Sequence, residues 1–473
     1  MKLCAFILFL CVSVASSATY YVRTDGNNSN TGLTDSAGGA WRTVQKAATT
    51  AVAGDTVTVN SGNYDEDVDS GQAGTSGSPI TFTGVSQPRL KTWYLTHSWV
   101  NVDNFKFTDM TARYSAILIW SNANLRITRC RIYDLTNANY MAIRTVGPSG
   151  DVITMPLVAS NLYIAQCTLS NIQNHAFQMF MRDSIIESNY ADRVGHDFLN
   201  LWGDNNIIRR NVITNGVQGD VDNHCDFVQT YGGPGALQAT NNLFDSNLII
   251  NNTGDLQNCN LEVGGPAYSQ DDATNRFHHW TFRNNVFVNN YGAGNVGIPY
   301  TTWENNTFYR SPNSNSQLHS TPIFLLDQTG FRGRLGTISN NLFVACGYSN
   351  AADGLKLGYY NASAIGVKDY NMVAGLPEHN FSTSPTFSEA NGVNGGDPLF
   401  ANITSGDARI SAGSPAIGVA ANLSSQFTTD FTGATRSVPW DIGAYEFVAT
   451  PGNGLPARGF NGKMIFGGKV VLQ

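Results

Sequence analysis

One short pattern of apolar and polar positions recurs along the chain: apolar–x–apolar–x–x–(Asn or Cys)–x–apolar. It reads NLRITRCRI at 124–132, NLYIAQCTL at 161–169, NNIIRRNVI at 205–213, NNLFDSNLI at 241–249, HWTFRNNVF at 279–287 and TWENNTFY at 302–309. SNNLFV at 339–344 and DYNMV at 369–373 repeat its second half. A period of two is the signal of a strand, not of a helix. The anchor position is filled by Cys130, Cys167, Asn189, Asn211, Asn247, Asn285, Asn306, Asn341 and Asn371, at spacings of 37, 22, 22, 36, 38, 21, 35 and 30 residues. The minimum near 22 fits one coil of three short strands and tight turns at ~3.3 Å per residue. Longer spacings are the same coil with a loop inserted at a turn. The pattern predicts an all-β fold, a single-stranded parallel β-helix in which each coil packs only on its neighbours. An Asn repeated at one corner can hydrogen-bond its copy in the next coil, and Asn tolerates the left-handed backbone of a sharp corner. The two Cys anchors could pair or simply pack.

The ends read differently. MKLCAFILFLCVSVASSA (1–18) has one lysine, an apolar run and small residues Ser16 and Ala18, the pattern of a secretory signal peptide cleaved after Ala18. The apolar run is too short for a membrane span, so the expectation is an exported protein, secreted, at the cell surface or periplasmic. Residues 19–60 are expected to form an N-terminal cap and first coil. Within them, Trp41 to Val52 places Val44, Ala47, Ala48 and Ala51 on one helical face. That helix can plug the open end of the core, Gly54-Asp55 stops it, and TVTV opens the first coil. The β-helix then spans 61–395. A closing module covers 396–447, and 448–473 is a tail that can serve as a sorting segment.

Composition narrows the partners. Charged residues make up only 13% of the chain, while 42% are hydrophobic and 11% aromatic, which excludes a disordered protein. The net charge of −7 offers no basic field for nucleic acid. An acidic substrate would have to be held by local cations or a metal. Five cysteines lie beyond the signal peptide, an odd number, and there is no CxxC pair, so neither a disulfide scaffold nor a zinc site is expected.

After each anchor the chain turns and lays a new strand. Five such segments are Met141-Ala-Ile-Arg144, His175-Ala-Phe-Gln178, Asp197-Phe-Leu-Asn200, Asp226-Phe-Val-Gln229 and Cys259-Asn-Leu-Glu262. One column reads Met, His, Asp, Asp, Cys, and a second, three residues on, reads Arg, Gln, Asn, Gln, Glu. His196 and His224 stand just before the two Asp. With coils ~4.8 Å apart, these groups form a polar patch on one sheet. Apolar neighbours of Gln178, Asn200 and Glu262 point the second column outward. Phe180, Trp202 and Tyr231 close the same strands, and an extended sugar chain can stack on such rings. Gln178, Asn200 and Gln229 could equally be a stacking ladder, and His278-His279 read as structural.

The repeat, with TYYVRTDGNNSNTG and WRTVQKAATTAVAGDTVTV at the start, resembles the pectate-lyase-like right-handed parallel β-helix superfamily over about residues 19–447. DPLF (397–400), GSPAI (413–417) and DIGAYEF (441–447) resemble the closing module of bacterial surface-anchored β-helix proteins. The resemblance implies a carbohydrate groove on the sheet that carries the polar columns. It does not fix the reaction. The ordered NTD, DD, GHG and RIK motifs of polygalacturonase-like hydrolases are reduced here to GHD (195–197). The NGxE-type strand of chondroitinase-like alginate lyases is missing, and NHCD (223–226) is only loosely similar to the DPHD of mannuronan epimerases.

Residue types then suggest a polysaccharide lyase acting on a uronate-containing glycan by β-elimination. Such an enzyme must neutralise the substrate carboxylate, take the C5 proton and protonate the leaving oxygen. Arg144, His175, Gln178, Asn200, Trp202, Gln229 and Glu262 are candidates for substrate binding. His196 or His224 is the candidate base, with Tyr231 as acid. Asp197 and Asp226 could orient the histidines, and Asp222 with Asp226 could bind Ca²⁺ through oxygen. A hydrolase would instead pair carboxylates from Asp197, Asp226 and Glu262. A non-catalytic adhesin is the other alternative, and a tailspike-like trimer conflicts with a signal peptide. The partner expected is a glycan, with no nucleic acid and no membrane span, and the chain is expected to act as a monomer.

Overall fold

A computed structural model describes residues 17–449 apart from 121, 147–157, 217–225, 231–237, 252–260, 264–276, 291–293, 297, 299, 310–311, 314–323, 326, 329–330, 333–335, 349–364, 375–388 and 404–405, together with 458–460, 463–466 and 469–472. The repeat is a parallel β-helix. Three long sheets of 13, 12 and 11 strands are built from described strands between Thr19 and Asn394, and every neighbouring pair along them is parallel. A complete coil visits each sheet once. Phe177–Arg182 lies in the third sheet, Ile185–Glu187 in the first and Tyr190–Val194 in the second, before Leu199–Trp202 returns to the third.

Corners explain the register. The left-handed residues of one coil fall five apart, at Asn161, Gln166 and Asn171, then Asp183, Ser188 and Arg193, then Asn205, Arg210 and Asn215. The residue that takes the left-handed conformation at the first-to-second-sheet corner is the one before the anchor, for example Ser188, Arg210, Ser246 and Asn284, not the anchor Asn itself. This corrects one of the two expected reasons for Asn at the anchor, its tolerance of a left-handed corner. The other is present: the anchor side chain turns inward and forms a ladder. Asn189, Asn211, Asn247, Asn285, Asn306 and Asn341 each donate to the side-chain oxygen of the next anchor at 2.9–3.0 Å. The same oxygen also accepts the backbone N–H of the previous anchor. Each ladder amide thereby satisfies buried polar groups that no water reaches. Cys130 and Cys167 are free and buried at the start of the ladder, so packing, not pairing, is what they do. Cys225 and Cys259 lie outside the described residues.

A second ladder occupies the preceding corner: Asn206 donates to Asn242 at 3.0 Å, and the backbone N–H of Ser184 donates to Asn206 at 3.2 Å. Inside the coil, rings stack in register, as Phe244, Phe282 and Trp303 do at 4.6 and 4.0 Å.

The helix is shorter than the expected span, Val44–Thr50, with Val44, Ala47 and Ala48 buried and the Thr43 side chain accepting the Lys46 N–H as its N-cap. The first rung comes earlier than expected, because Thr19–Val22 already pairs with Thr56–Val59. Residues 400–447 do not stop at the end of the solenoid but fold back along it. Ala408, Ala444 and Tyr445 cover Val212, Leu248, Val286 and Val288 on the outer face of the second sheet. Ile410, Ala416 and Ile442 cover Leu342, Val344, Met372 and Ala374. Asn284, Asn305 and Asn340 bond this segment through Thr429, Asp441, Gly443 and Ala421 carbonyls at 2.9–3.1 Å. Arg436, fully buried, joins Asn284 to the Gly443 and Ala444 carbonyls and to Glu446.

Candidate functional site

The predicted columns fall on the third sheet in consecutive coils. Arg144 pairs with Gln178, Gln178 with Asn200, Asn200 with Gln229 and Gln229 with Glu262. One step before the strands, the backbone N–H of Ala176 bonds the Asp197 carbonyl and that of Phe198 bonds the Asp226 carbonyl, which sets His175, Asp197 and Asp226 above one another. The second column therefore exists as read, and the first does from Met141 to Asp226, Cys259 lying outside the described residues. Side chains of the second column alternate with core residues such as Phe177, Leu199 and Val228, as period two requires.

Burial separates the candidates. Asp197 has no exposed surface and Asp226 only 1%. Asn200 and Gln229, on the outward side of the sheet, are also buried. The Asn200 amide donates to Gln229 at 3.1 Å and to Asp197 Oδ2 at 3.3 Å, so the stacking ladder considered from the sequence is present between these two coils. Trp202 lies flat on Phe180, with ring centroids 4.4 Å apart, and is fully buried. It is thus not the exposed sugar platform that its place at the strand end suggested. Gly203, immediately after it, has φ +105°, and a Cβ there would lie 1.9 Å from the Met181 carbonyl oxygen, so only glycine ends this strand.

Around Asp197 three elements converge. His175 Nδ1 lies 3.4 Å and His196 Nδ1 3.1 Å from Asp197 Oδ2. The two imidazoles meet edge-on, 4.1 Å between centroids. The Asp226 backbone N–H donates to Asp197 Oδ1 at 3.2 Å, and the Asp197 N–H donates to His196 Nδ1 at 3.0 Å. A parallel sheet accounts for this: equivalent positions on successive rungs lie ~4.8 Å apart, and His196 adds a second imidazole from the loop before Asp197. His175, expected to bind substrate, is therefore part of the same cluster as His196.

Three rungs towards the N-terminus the same face carries rings that the sequence reading passed over. Trp120 is 38% and Tyr114 61% exposed, and Trp120 pairs in register with Val146. The Arg113 guanidinium sits 4.0 Å over Tyr94. Burial pushes the Tyr94 hydroxyl above its ordinary value, and Arg113 and Arg144 oppose that rise. The signal was available as aromatics flanking SAILIW (115–120), but that strand lacks an Asn anchor and so fell outside the repeat alignment. His224, Asp222 and Tyr231 lie outside the described residues, as does the side chain of Glu262. His278 and His279 sit at a corner, where His279 stacks on Tyr300 at 4.9 Å.

No family model matches the chain, and no curated protein matches it by sequence. Solved structures do match in fold. A rhamnogalacturonan lyase aligns at 15% identity over 69% of this chain and 87% of its own, with a TM-score of 0.50. XylC, solved in complex with xylose, aligns at 11% identity over 91% and 98%, with a TM-score of 0.58. A PL6-family polysaccharide lyase from Pseudopedobacter saltans aligns at 14% identity over 77% and 94%, with a TM-score of 0.50. These likenesses are of fold: each is to a chain that shares the parallel β-helix architecture described above.

Proposed function

We propose that this protein is a secreted, monomeric, polysaccharide-active β-helix, and that it cleaves a uronate-containing glycan by β-elimination. The observation that carries the reading is the buried Asp197 with His175 and His196 at its carboxylate, beside the outward column Arg144–Gln178–Asn200–Gln229. The C5 proton of a uronate is acidic only when the neighbouring carboxylate is neutralised, which is the part assigned to Arg144 with Gln178. His196 or His224 takes that proton as general base. Tyr231 returns a proton to the leaving oxygen. Trp120 and Tyr114 supply the exposed ring faces on which sugars stack, the part first assigned to Trp202. The helix Val44–Thr50 closes the N-terminal end of the solenoid in this reading.

A hydrolase would need Asp197 and Asp226 as acid and base with a water between them. Their near-zero exposure favours an orienting role instead. The test is a panel of pectate, alginate and glycosaminoglycan substrates followed by the ultraviolet absorbance of the unsaturated product. Absorbance growth on one of them supports elimination. Reducing ends without absorbance would favour hydrolysis, and no product on any member, with or without added divalent cations, would favour a non-catalytic adhesin.

A further inference from the structure

We infer that His175, His196 and Asp197 form a binding site for one divalent cation of the zinc class. The sequence argued against zinc because it has no CxxC pair, but these ligands come from two coils and become neighbours only in the fold. One atom of each, a ring nitrogen or a carboxylate oxygen, lies within 4.8 Å of the others. The edges measured from Asp197 Oδ2 are 3.4 and 3.1 Å. Ligand bonds of ~2.0–2.1 Å in a tetrahedron put ligand atoms about 3.3 Å apart, which the two edges at Asp197 Oδ2 already match.

His196 Nδ1 accepts the Asp197 N–H at 3.0 Å, so a cation on this nitrogen would take the place of that bond. The remaining Asp197 oxygen is fixed by the Asp226 N–H, and Asn200 braces Oδ2, which is how outer partners orient a metal-binding carboxylate. Two imidazoles and one carboxylate suit Zn²⁺ and its late first-row neighbours, whereas Ca²⁺ takes six to eight oxygens. Three protein ligands leave a position open for an oxygen of water or substrate.

The site shares residues with the proposed lyase reading and deepens it. A cation there would neutralise the uronate carboxylate beside Arg144, and a metal-bound His196 could not serve as base. The base would then be His224.

The full chain, untagged, chelator-treated and dialysed, is titrated calorimetrically with Zn²⁺ and separately with Ca²⁺. The expected result is one Zn²⁺ per chain, a raised melting temperature and no comparable Ca²⁺ response. His175→Gln and His196→Gln should each weaken Zn²⁺ by more than the ~10–100-fold that outer-shell partners cost. Co²⁺ loading should give the intense visible absorption of low-coordinate cobalt in the parent chain and lose it in both variants. Folding of the variants is checked by circular dichroism and by their melting temperature without metal. Absence of stoichiometric Zn²⁺ binding by the parent chain, or equal binding by folded variants, overturns the site. Glycan cleavage without metal binding would overturn the site and leave the lyase reading with His196 as base. Zn²⁺ binding without cleavage of any uronate glycan would sink the lyase reading and leave the site standing.

Discussion

At the scale of single residues, Asp197 is a buried carboxylate held from several sides. Its two oxygens face His175, His196, Asn200 and the Asp226 N–H. Under the lyase reading, Asp197→Asn should cut kcat/KM on the cleaved glycan by about 10²–10⁴-fold, the usual worth of an oriented proton-transfer group. Binding of the intact glycan should change little where buried Asp197 only orients the imidazoles, and should fall where a cation at Asp197 holds the substrate carboxylate. A full-rate Asp197→Asn enzyme would remove this carboxylate from the mechanism. Asn247 provides a test of stability at the same scale. Its amide donates to Asn285 and the Ile208 carbonyl, and its oxygen accepts from Asn211 twice. Asn247→Ala strands several of these partners in a dry corner, at ~1–3 kcal/mol for each unsatisfied group. Urea denaturation should show a loss of about 2–5 kcal/mol, against a much smaller loss for an exposed Asn such as Asn394. The ladder residues were legible because the same letter recurs at the same place. The role of Trp202 was not, because a strand-end position does not say which neighbour covers the ring.

At the scale of elements, the corner decides what each strand can do. Left-handed residues five apart leave room for about three residues per strand, so a one-residue slip would turn every side chain to the wrong face. The first-to-second-sheet ladder ends on Glu389, whose oxygens accept the Asn371 backbone and side-chain N–H groups at 2.8 and 2.9 Å. Burial pushes the Glu389 carboxyl up from its ordinary value of 4.5 to about 7, and the two Asn371 bonds only partly oppose this. The folded protein therefore holds this proton more tightly than the unfolded chain. The stability it adds is complete below the ordinary value and is lost as pH rises through about 7. Melting temperature should fall between about pH 5 and about pH 8, and Glu389→Gln should flatten that slope. An unchanged slope in the variant would place the pH dependence on another group. The second Asn ladder was visible in the doubled Asn of NNIIRRNVI and NNLFDSNLI, whose first half belongs to one corner and second half to the next.

At the scale of the whole molecule, the segment 400–447 is a cover for the second sheet. Strands there, such as Val286–Val288 and Leu342–Val344, are buried on both faces, outward residues included. A chain ending at residue 395 should expose that apolar strip, bind a hydrophobic dye and aggregate, whereas the full chain stays dispersed. Light scattering of the two side by side checks this, and a well-behaved truncated chain would show that the cover is dispensable. The sequence by itself determined the solenoid, because a corner residue that must satisfy buried backbone groups repeats at coil spacing and strand alternation is local. It also set the polar columns, since parallel rungs copy sequence register into space. Only the tertiary structure decided that the terminal segment lies along the second sheet, that Trp202 is closed off, and that His175 and His196 meet at one carboxylate. Those outcomes depend on which faces touch across coils and on how loops carry His196 back to the rung below, and no spacing along a single chain encodes that.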